Sequence, residues 1–400
     1  MDKLEEVYKL AKEVGAKDIS LPEIIIETKA IDKIAPYLKS NQYQKIVIVA
    51  DENTYKVVGK HVQQILSDDN HEVETILLTQ TKHGQVIADE ATLVQLLVEA
   101  PSGTDVLLAV GSGTIHDVVR FAGHKLNIPF ISIPTAASVD GFASKGAPLI
   151  LRGVKQTIQT ASPVAIFADL NILMGAPKEM TAAGFGDILG KYTSLLDWKI
   201  SDWIGGEPYN QLAADMTRRS LESCVNNVDK IAAGDEAGMK ILIQSLIESG
   251  LVMLVLDFSR PASGGEHHLS HFWEMDLLKN NAEQLLHGAK VGVTTTIIAE
   301  LYKDFAKQLD TSSIRKNQTI YKDKLDLHWE KIKYEIEQLP TPIFLRELLK
   351  SVGGPASPEE LNVPDDLVEE SLNQAYKLRD RCTGLLLINQ LKTERIKYSF

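Results

Sequence analysis

The stretch DVLLAVGSGTIHDVVRFAG, residues 105–123, decides the fold. An apolar run ends at Gly111-Ser112-Gly113, and a helical pattern begins directly after it. Glycine lets a backbone approach a bound pyrophosphate closely. A helix N-terminus adds unpaired N–H groups and a positive dipole end. GSGTIHD is not the full G-x-G-x-x-G dinucleotide fingerprint, and a plain strand-to-helix turn has the same residues. The strand-turn-helix context favours phosphate binding.

Outward from this turn the pattern repeats. IVIVAD (46–51), ETILLT (74–79), FISIPT (130–135) and VAIFADL (164–170) read as buried strands. VVGKHVQQIL, ATLVQLLVEA and HDVVRFAGHKL read as the helices between them. Short apolar runs separated by helices predict a parallel sheet with crossover helices, an α/β Rossmann-like N-terminal domain. After about Leu173 the segments become helix-length and amphipathic, which predicts an all-α C-terminal domain. NILMGAPKEM holds the boundary, giving domains 1–173 and 174–400.

Composition narrows the function. The 400 residues carry a formal charge of −12 with no offsetting Lys/Arg cluster, which argues against nucleic acid. A small phosphorylated substrate needs only a local nest of donors. Two cysteines, Cys224 and Cys382, rule out a disulfide framework and a cysteine zinc site. The opening MDKLEEVYKLAKEVG lacks the apolar core of a signal peptide. No apolar run is read as reaching the roughly 20 residues that span a bilayer. A cytoplasmic protein without membrane insertion is expected.

Candidate polar residues lie where strands end. Asp51 can take the ribose hydroxyls of an adenosine, favouring NAD over NADP, or cap the helix in ADENT. PTAASVDGFAS (134–144) surrounds Asp140 and Gly141 with the hydroxyl residues Thr135, Ser138 and Ser144 at the carboxyl edge of the sheet, where α/β folds bind ligands. In the second half, GGEHHLSHFWE puts His267 and His271 at i and i+4 on one helix face, with His268 about 100° away. His287 opens another helix in HGAKVG, and Asp187 follows two glycines in AGFGDILGK, read as a helix start. Two imidazoles and a carboxylate suit a catalytic divalent metal with open positions for substrate. An i, i+4 histidine pair also fits surface or capping chemistry. Glu274 reads either as a partner of this set or as part of a solvated face.

GSGTIHD, IPTAASVDGFAS, AGFGDILGKYTSLLDW, GGEHHLSH and HGAKVG, in that order, resemble the sn-glycerol-1-phosphate dehydrogenase family. That family lies in the superfamily of glycerol dehydrogenase, dehydroquinate synthase and the iron-type alcohol dehydrogenases. The resemblance spans roughly Asp51 to Val291, and its bacterial branch is the most similar because the chain runs well past the last motif. It implies a dehydroquinate synthase-like pair of domains with the active site in the cleft between them. It implies that Gly111, Ser112, Gly113, Thr114 and Ile115 cradle the NAD(P)H pyrophosphate, and that Thr135 to Ser138 and Ser144 line the rest of that site. It implies Asp187, His267 and His287 as ligands of one divalent metal, nickel or zinc. Asp140, Asp187 and His271 would contact substrate, with Asp187 and His271 catalytic. The implied reaction reduces dihydroxyacetone phosphate to sn-glycerol 1-phosphate for glycerophospholipid synthesis. A homodimer is the default for a soluble enzyme of this size.

Two other enzymes share such a frame: a polyol dehydrogenase acting on unphosphorylated glycerol, and a dehydroquinate synthase-like lyase. A third alternative is an NAD-binding protein without activity. A phosphate pocket discriminates the first, and Lys145, Lys191 and Arg260 are its candidate donors.

Overall fold

The computed structural model describes residues 2–16, 19–309 and 319–398. They form two compact units. One comprises the chain up to Gly184 together with Asn227–Phe258, and the other comprises Phe185–Asn226 and the chain from Ser259 onward. A single boundary after residue 173 therefore misses one excursion. The helix Glu236–Leu256 returns to the first unit, where it meets β1 (Glu23–Glu27) and the helix Leu170–Met174. Its composition explains this, because a helix apolar on nearly every side must be a core helix. The same helix corrects the reading of apolar runs. Its 21 residues are long and apolar enough to cross a membrane, and 78% of its most apolar window is buried in the protein.

The other strands are β2 (Lys45–Ala50), β3 (Glu72–Leu77), β4 (Val106–Gly111), β5 (Phe130–Pro134), β6 (Gly146–Leu151), β7 (Val154–Gln159) and β8 (Ala165–Asp169). Six of them form a parallel sheet in the order β1-β8-β5-β4-β2-β3. Alternate residues serve opposite faces. Ile46, Ile48, Leu108 and Val110 enter one core, and Val47, Val49, Leu107 and Ala109 enter the other. The five strands expected from the sequence are β2, β3, β4, β5 and β8. β1 escaped because EIIIE is short and charged at both ends. The β6–β7 hairpin escaped because VKQTIQ is largely polar, and its turn is marked only by Arg152 (φ 54°) and Gly153 (φ 72°).

The strand order reverses between β2 and β4. The chain leaves β2 toward one edge and later fills the other edge through β5 and β8. Ligands of open α/β sheets sit at such a switch point, beyond the carboxyl ends of the strands. Asp51 follows β2 there, and Gly111 closes β4.

The described residues of the second unit contain helices and no strand. Gly186 lets two of them touch. A Cβ on Gly186 would lie 2.3 Å from the Gly288 carbonyl oxygen, so only glycine permits this approach of Lys178–Leu189 to His287–Gln308.

Candidate metal centre and nucleotide loops

In the second unit three helices converge on one point. Asp187 comes from near the end of Lys178–Leu189, not from a helix start as the sequence suggested. His267 lies in the first turn of Gly265–Lys279, and His287 opens His287–Gln308. His267 Nε2 is 3.7 Å and His287 Nε2 is 3.8 Å from Asp187 Oδ1. One ligand atom from each residue falls within 4.8 Å of the others. Two metal–ligand bonds of about 2.0–2.2 Å span such separations. The donor set therefore fits a divalent cation.

Hydrogen bonds fix two of the imidazoles in different tautomers. Glu266 is fully buried and its Oε1 accepts the Gly264 N–H at 2.6 Å. The same oxygen lies 2.7 Å from His267 Nδ1, so a carboxylate there accepts a hydrogen bond from Nδ1–H, which leaves the lone pair on Nε2. That is the form a metal ligand needs. Burial pushes the Glu266 carboxyl above its ordinary range, opposed by hydrogen bonds from Thr193 and Gly264. His271 shows the reverse. Arg379 Nη2 lies 3.2 Å from its Nδ1, and a guanidinium can only donate. His271 thus accepts at Nδ1 and carries its proton on Nε2. Its ring stacks on His287 with centroids 5.8 Å apart.

Around these groups sit further charges, of which sequence reasoning passed over the buried Lys290 and Asp197. Lys191 is fully buried and its Nζ donates to the Asp187 carbonyl at 3.1 Å. Lys290, also buried, pairs with Glu274 at 3.0 Å, so Glu274 is not on a solvated face. Glu274 forms a second close set with His271 and His287. Asp197 joins the helices from beneath. Its oxygens accept the N–H groups of Gly265 and Gly384, each at 2.7 Å, and the Tyr302 hydroxyl at 2.9 and 3.0 Å. Burial, reinforced by repulsion from Glu266, pushes the Asp197 carboxyl up to about 7. His268, fully buried, is held neutral chiefly by burial.

In the first unit the predicted loops meet at the carboxyl edge of the sheet. Gly111 pairs with Pro134, and the Thr135 N–H donates to the Gly111 carbonyl at 3.0 Å. A Cβ on Gly111 would lie 2.5 Å from Ile115 Cγ1, and one on Gly113 would lie 2.9 Å from Val139 Cγ2. The turn therefore needs both glycines. Ser112 N-caps Gly113–Leu126 without a side-chain hydrogen bond, and Thr114 stands in its first turn. Ile115 is buried in the sheet core, so its side chain faces away from any ligand at the turn. Ala136, Ala137, Ser138 and Ser144 are buried in the following loop. Asp51 caps its helix through Oδ1, which accepts from Asn53 at 2.8 Å and Thr54 at 2.9 Å.

Two supports of that loop had no signal in the sequence. Arg120 is fully buried and donates to Asp117 Oδ1, the Gly146 carbonyl and the Gly141 carbonyl at 2.9, 2.8 and 2.5 Å. Ser249, on Glu236–Leu256, donates to Asp140 Oδ2 at 2.8 Å. His116 ties the turn to β5, with Nδ1 2.9 Å from the Ser112 carbonyl and Nε2 2.8 Å from Ser132 Oγ. Burial pushes it down to about 3, so it stays neutral.

Comparison with known proteins agrees with these features. Residues 25–177 match the iron-containing alcohol dehydrogenase family. The glycerol-1-phosphate dehydrogenase (NAD(P)+) of Geobacillus stearothermophilus is 43% identical over 397 residues, covering 97% of this chain and 98% of that protein. The enzyme of the same name from Bacillus licheniformis is 48% identical, covering 93% and 90%, and that from Methanosarcina mazei is 31% identical, covering 96% of each. Among solved structures, glycerol dehydrogenase from Schizosaccharomyces pombe superposes with a TM-score of 0.66 at 18% identity, covering 94% of this chain and 86% of that one. That likeness establishes the fold. The near-full-length identity goes further: the chain belongs to the glycerol-1-phosphate dehydrogenase family.

Proposed function

We propose that this protein is a metal-dependent dehydrogenase that interconverts dihydroxyacetone phosphate and sn-glycerol 1-phosphate with NAD(H) or NADP(H), supplying glycerophospholipid synthesis. The convergence of Asp187, His267 and His287, with the lone pair of His267 set by Glu266, is the observation that carries this reading. A divalent cation held by these three residues would polarise the substrate's C2 oxygen and stabilise charge developing there, while a reduced nicotinamide would supply hydride.

The chain's own groups complete the chemistry. His271, with its proton on Nε2, donates a hydrogen bond to the C2 oxygen. Giving up that only proton would leave an imidazolate, so the proton that completes reduction comes from water. Backbone N–H groups of Gly111 to Ile115 take the pyrophosphate at the helix N-terminus. Thr135 to Ser138 and Ser144 bind the rest of the dinucleotide, and Asp51 keeps Oδ1 for its cap while addressing the ribose with its other oxygen. Asp140, steadied by Ser249, orients the substrate's hydroxyl groups.

The nitrogen and oxygen donors suit nickel or zinc. We assign the enzyme to the cytoplasm as a homodimer. Its two cysteines are buried and form no disulfide, which suits a reducing compartment. Initial rates of NADH oxidation with dihydroxyacetone phosphate and with unphosphorylated dihydroxyacetone test the substrate. The phosphorylated triose should be strongly preferred. Preference for the free triose, or phosphate release without net change in NADH, would overturn the reading.

A further inference from the structure

The segment KLRDRCT, residues 377–383, brings two guanidinium groups to one serine. Arg379 Nη1 donates to Ser263 Oγ at 3.4 Å, and Arg381 Nη1 donates to the Ser263 carbonyl at 2.7 Å. Arg381 Nη2 also donates to Ser259 Oγ at 2.9 Å, and Arg379 Nη2 donates to His271. All four acceptors are uncharged. Each arginine thus uses two of its five N–H groups. Among the described residues neither forms an ion pair with a carboxylate, unlike Arg260 with Glu207, Arg346 with Glu300 and Arg395 with Glu369.

Glu274, Glu266 and Glu207 act on the pair only through space, and two adjacent, partly buried cations without a bonded carboxylate are a costly arrangement. Burial first, and then the neighbouring charges of Arg379 and Arg260, push Arg381 down to about 9, opposed by Glu207 and Glu266. A dianionic phosphate would satisfy both forks at once. The location suits one, because Arg379 bonds His271, which stacks on His287. A triose phosphate with its C2 oxygen near these histidines carries its phosphate only a few bonds away. The donors considered from sequence are engaged elsewhere. Lys145 pairs with Asp257 at 3.0 Å, Lys191 lies against Asp187, and Arg260 holds Glu207.

We propose that Arg379 and Arg381 form the subsite that recognises the substrate's phosphate and so select phosphorylated over free triose. The proposal rests on the dehydrogenase reading above. Its test is steady-state kinetics of the metal-loaded enzyme and of Arg379→Lys, Arg381→Lys and Arg381→Ala, with dihydroxyacetone phosphate and with dihydroxyacetone. The lysine variants keep the charge and lose the fork. In each variant kcat/KM for the phosphorylated substrate should fall on the order of tenfold to a hundredfold more than for the free triose, mainly through KM. Competitive inhibition by inorganic phosphate should weaken by about the same factor. Arg381→Lys should retain more of the preference than Arg381→Ala. Equal losses on both substrates, or unchanged inhibition by phosphate, would overturn the proposal.

A thermal melt with added inorganic phosphate separates this idea from the reading it rests on. Phosphate should raise the Tm of the wild-type holoenzyme and not that of the lysine variants. If the wild type reduces neither triose, the dehydrogenase reading fails, and the melt still decides the subsite. Equal phosphate-induced shifts in wild type and variants would reject it.

Discussion

The two units hold their functional groups by different means. At the edge of the sheet, position comes from backbone. Gly111 and Gly113 shape the turn, Thr135 bonds Gly111, and Asp51 caps its own helix two and three residues on. In the helical unit, position comes from side-chain partners, one adjacent in sequence and the others far apart. Glu266 orients His267, Arg379 orients His271 across 108 residues, and Asp197 ties Gly265 to Gly384 across even more. Locally built features should fail singly and mildly. Features built by buried charges should fail together, because removing one partner leaves another charge or donor unsatisfied.

The largest effect should come from Asp187→Ala or His287→Ala. Turnover should drop on the order of a thousandfold or more. NADH affinity, read by fluorescence titration, should stay nearly unchanged if the two units fail separately. A parallel loss of NADH binding would break the comparison.

Glu266→Gln should come next. Removing the charge that fixes His267 should lower metal affinity about tenfold to a hundredfold. Elemental analysis after dialysis against graded chelator reads this. Full metal retention would mean that the tautomer does not depend on the carboxylate.

Asp197 gives the pH test. Its folded value, about 7, lies above the ordinary carboxyl value. Its contribution to stability is therefore complete below about pH 4 and is lost as pH rises through about 7. Asp197→Asn should flatten the dependence of Tm on pH between 5 and 8. It should also cost about 1–3 kcal/mol, because asparagine has one acceptor oxygen for the two N–H groups of Gly265 and Gly384. An unchanged slope would assign the pH dependence to other groups.

The smallest effect belongs to the first unit. Asp51→Ala should cost about 1 kcal/mol through the lost cap. It should also narrow the ratio of kcat/KM for NADH over NADPH. A stability loss without any change in that ratio would leave Asp51 a cap alone.

The same contrast explains what could be read in advance. The β4 turn, the strand ends and the loop after β5 are contiguous motifs, and strand and turn chemistry is local. The i, i+4 spacing of His267 and His271 was equally visible. Nothing in the spacing revealed that Glu266 and Arg379 would give these two rings opposite tautomers. Glu266 stood inside a quoted motif with no role assigned to it. Arg379 and Arg381 lay in the C-terminal part that read only as helix-length, amphipathic segments. Ser249 and Arg120 support the Asp140 loop from helices whose patterns spoke of packing. Long-range partners of this kind depend on which helix faces meet, and periodicity does not encode that.

Stripping the enzyme of metal and titrating nickel or zinc back while following NADH oxidation by dihydroxyacetone phosphate tests the centre most directly. Activity should be absent in the stripped protein, rise in proportion to added metal, and level off at about one equivalent per chain, with no recovery in Asp187→Ala. Undiminished turnover in the stripped protein, or equal recovery in Asp187→Ala, would contradict a cation held by Asp187, His267 and His287.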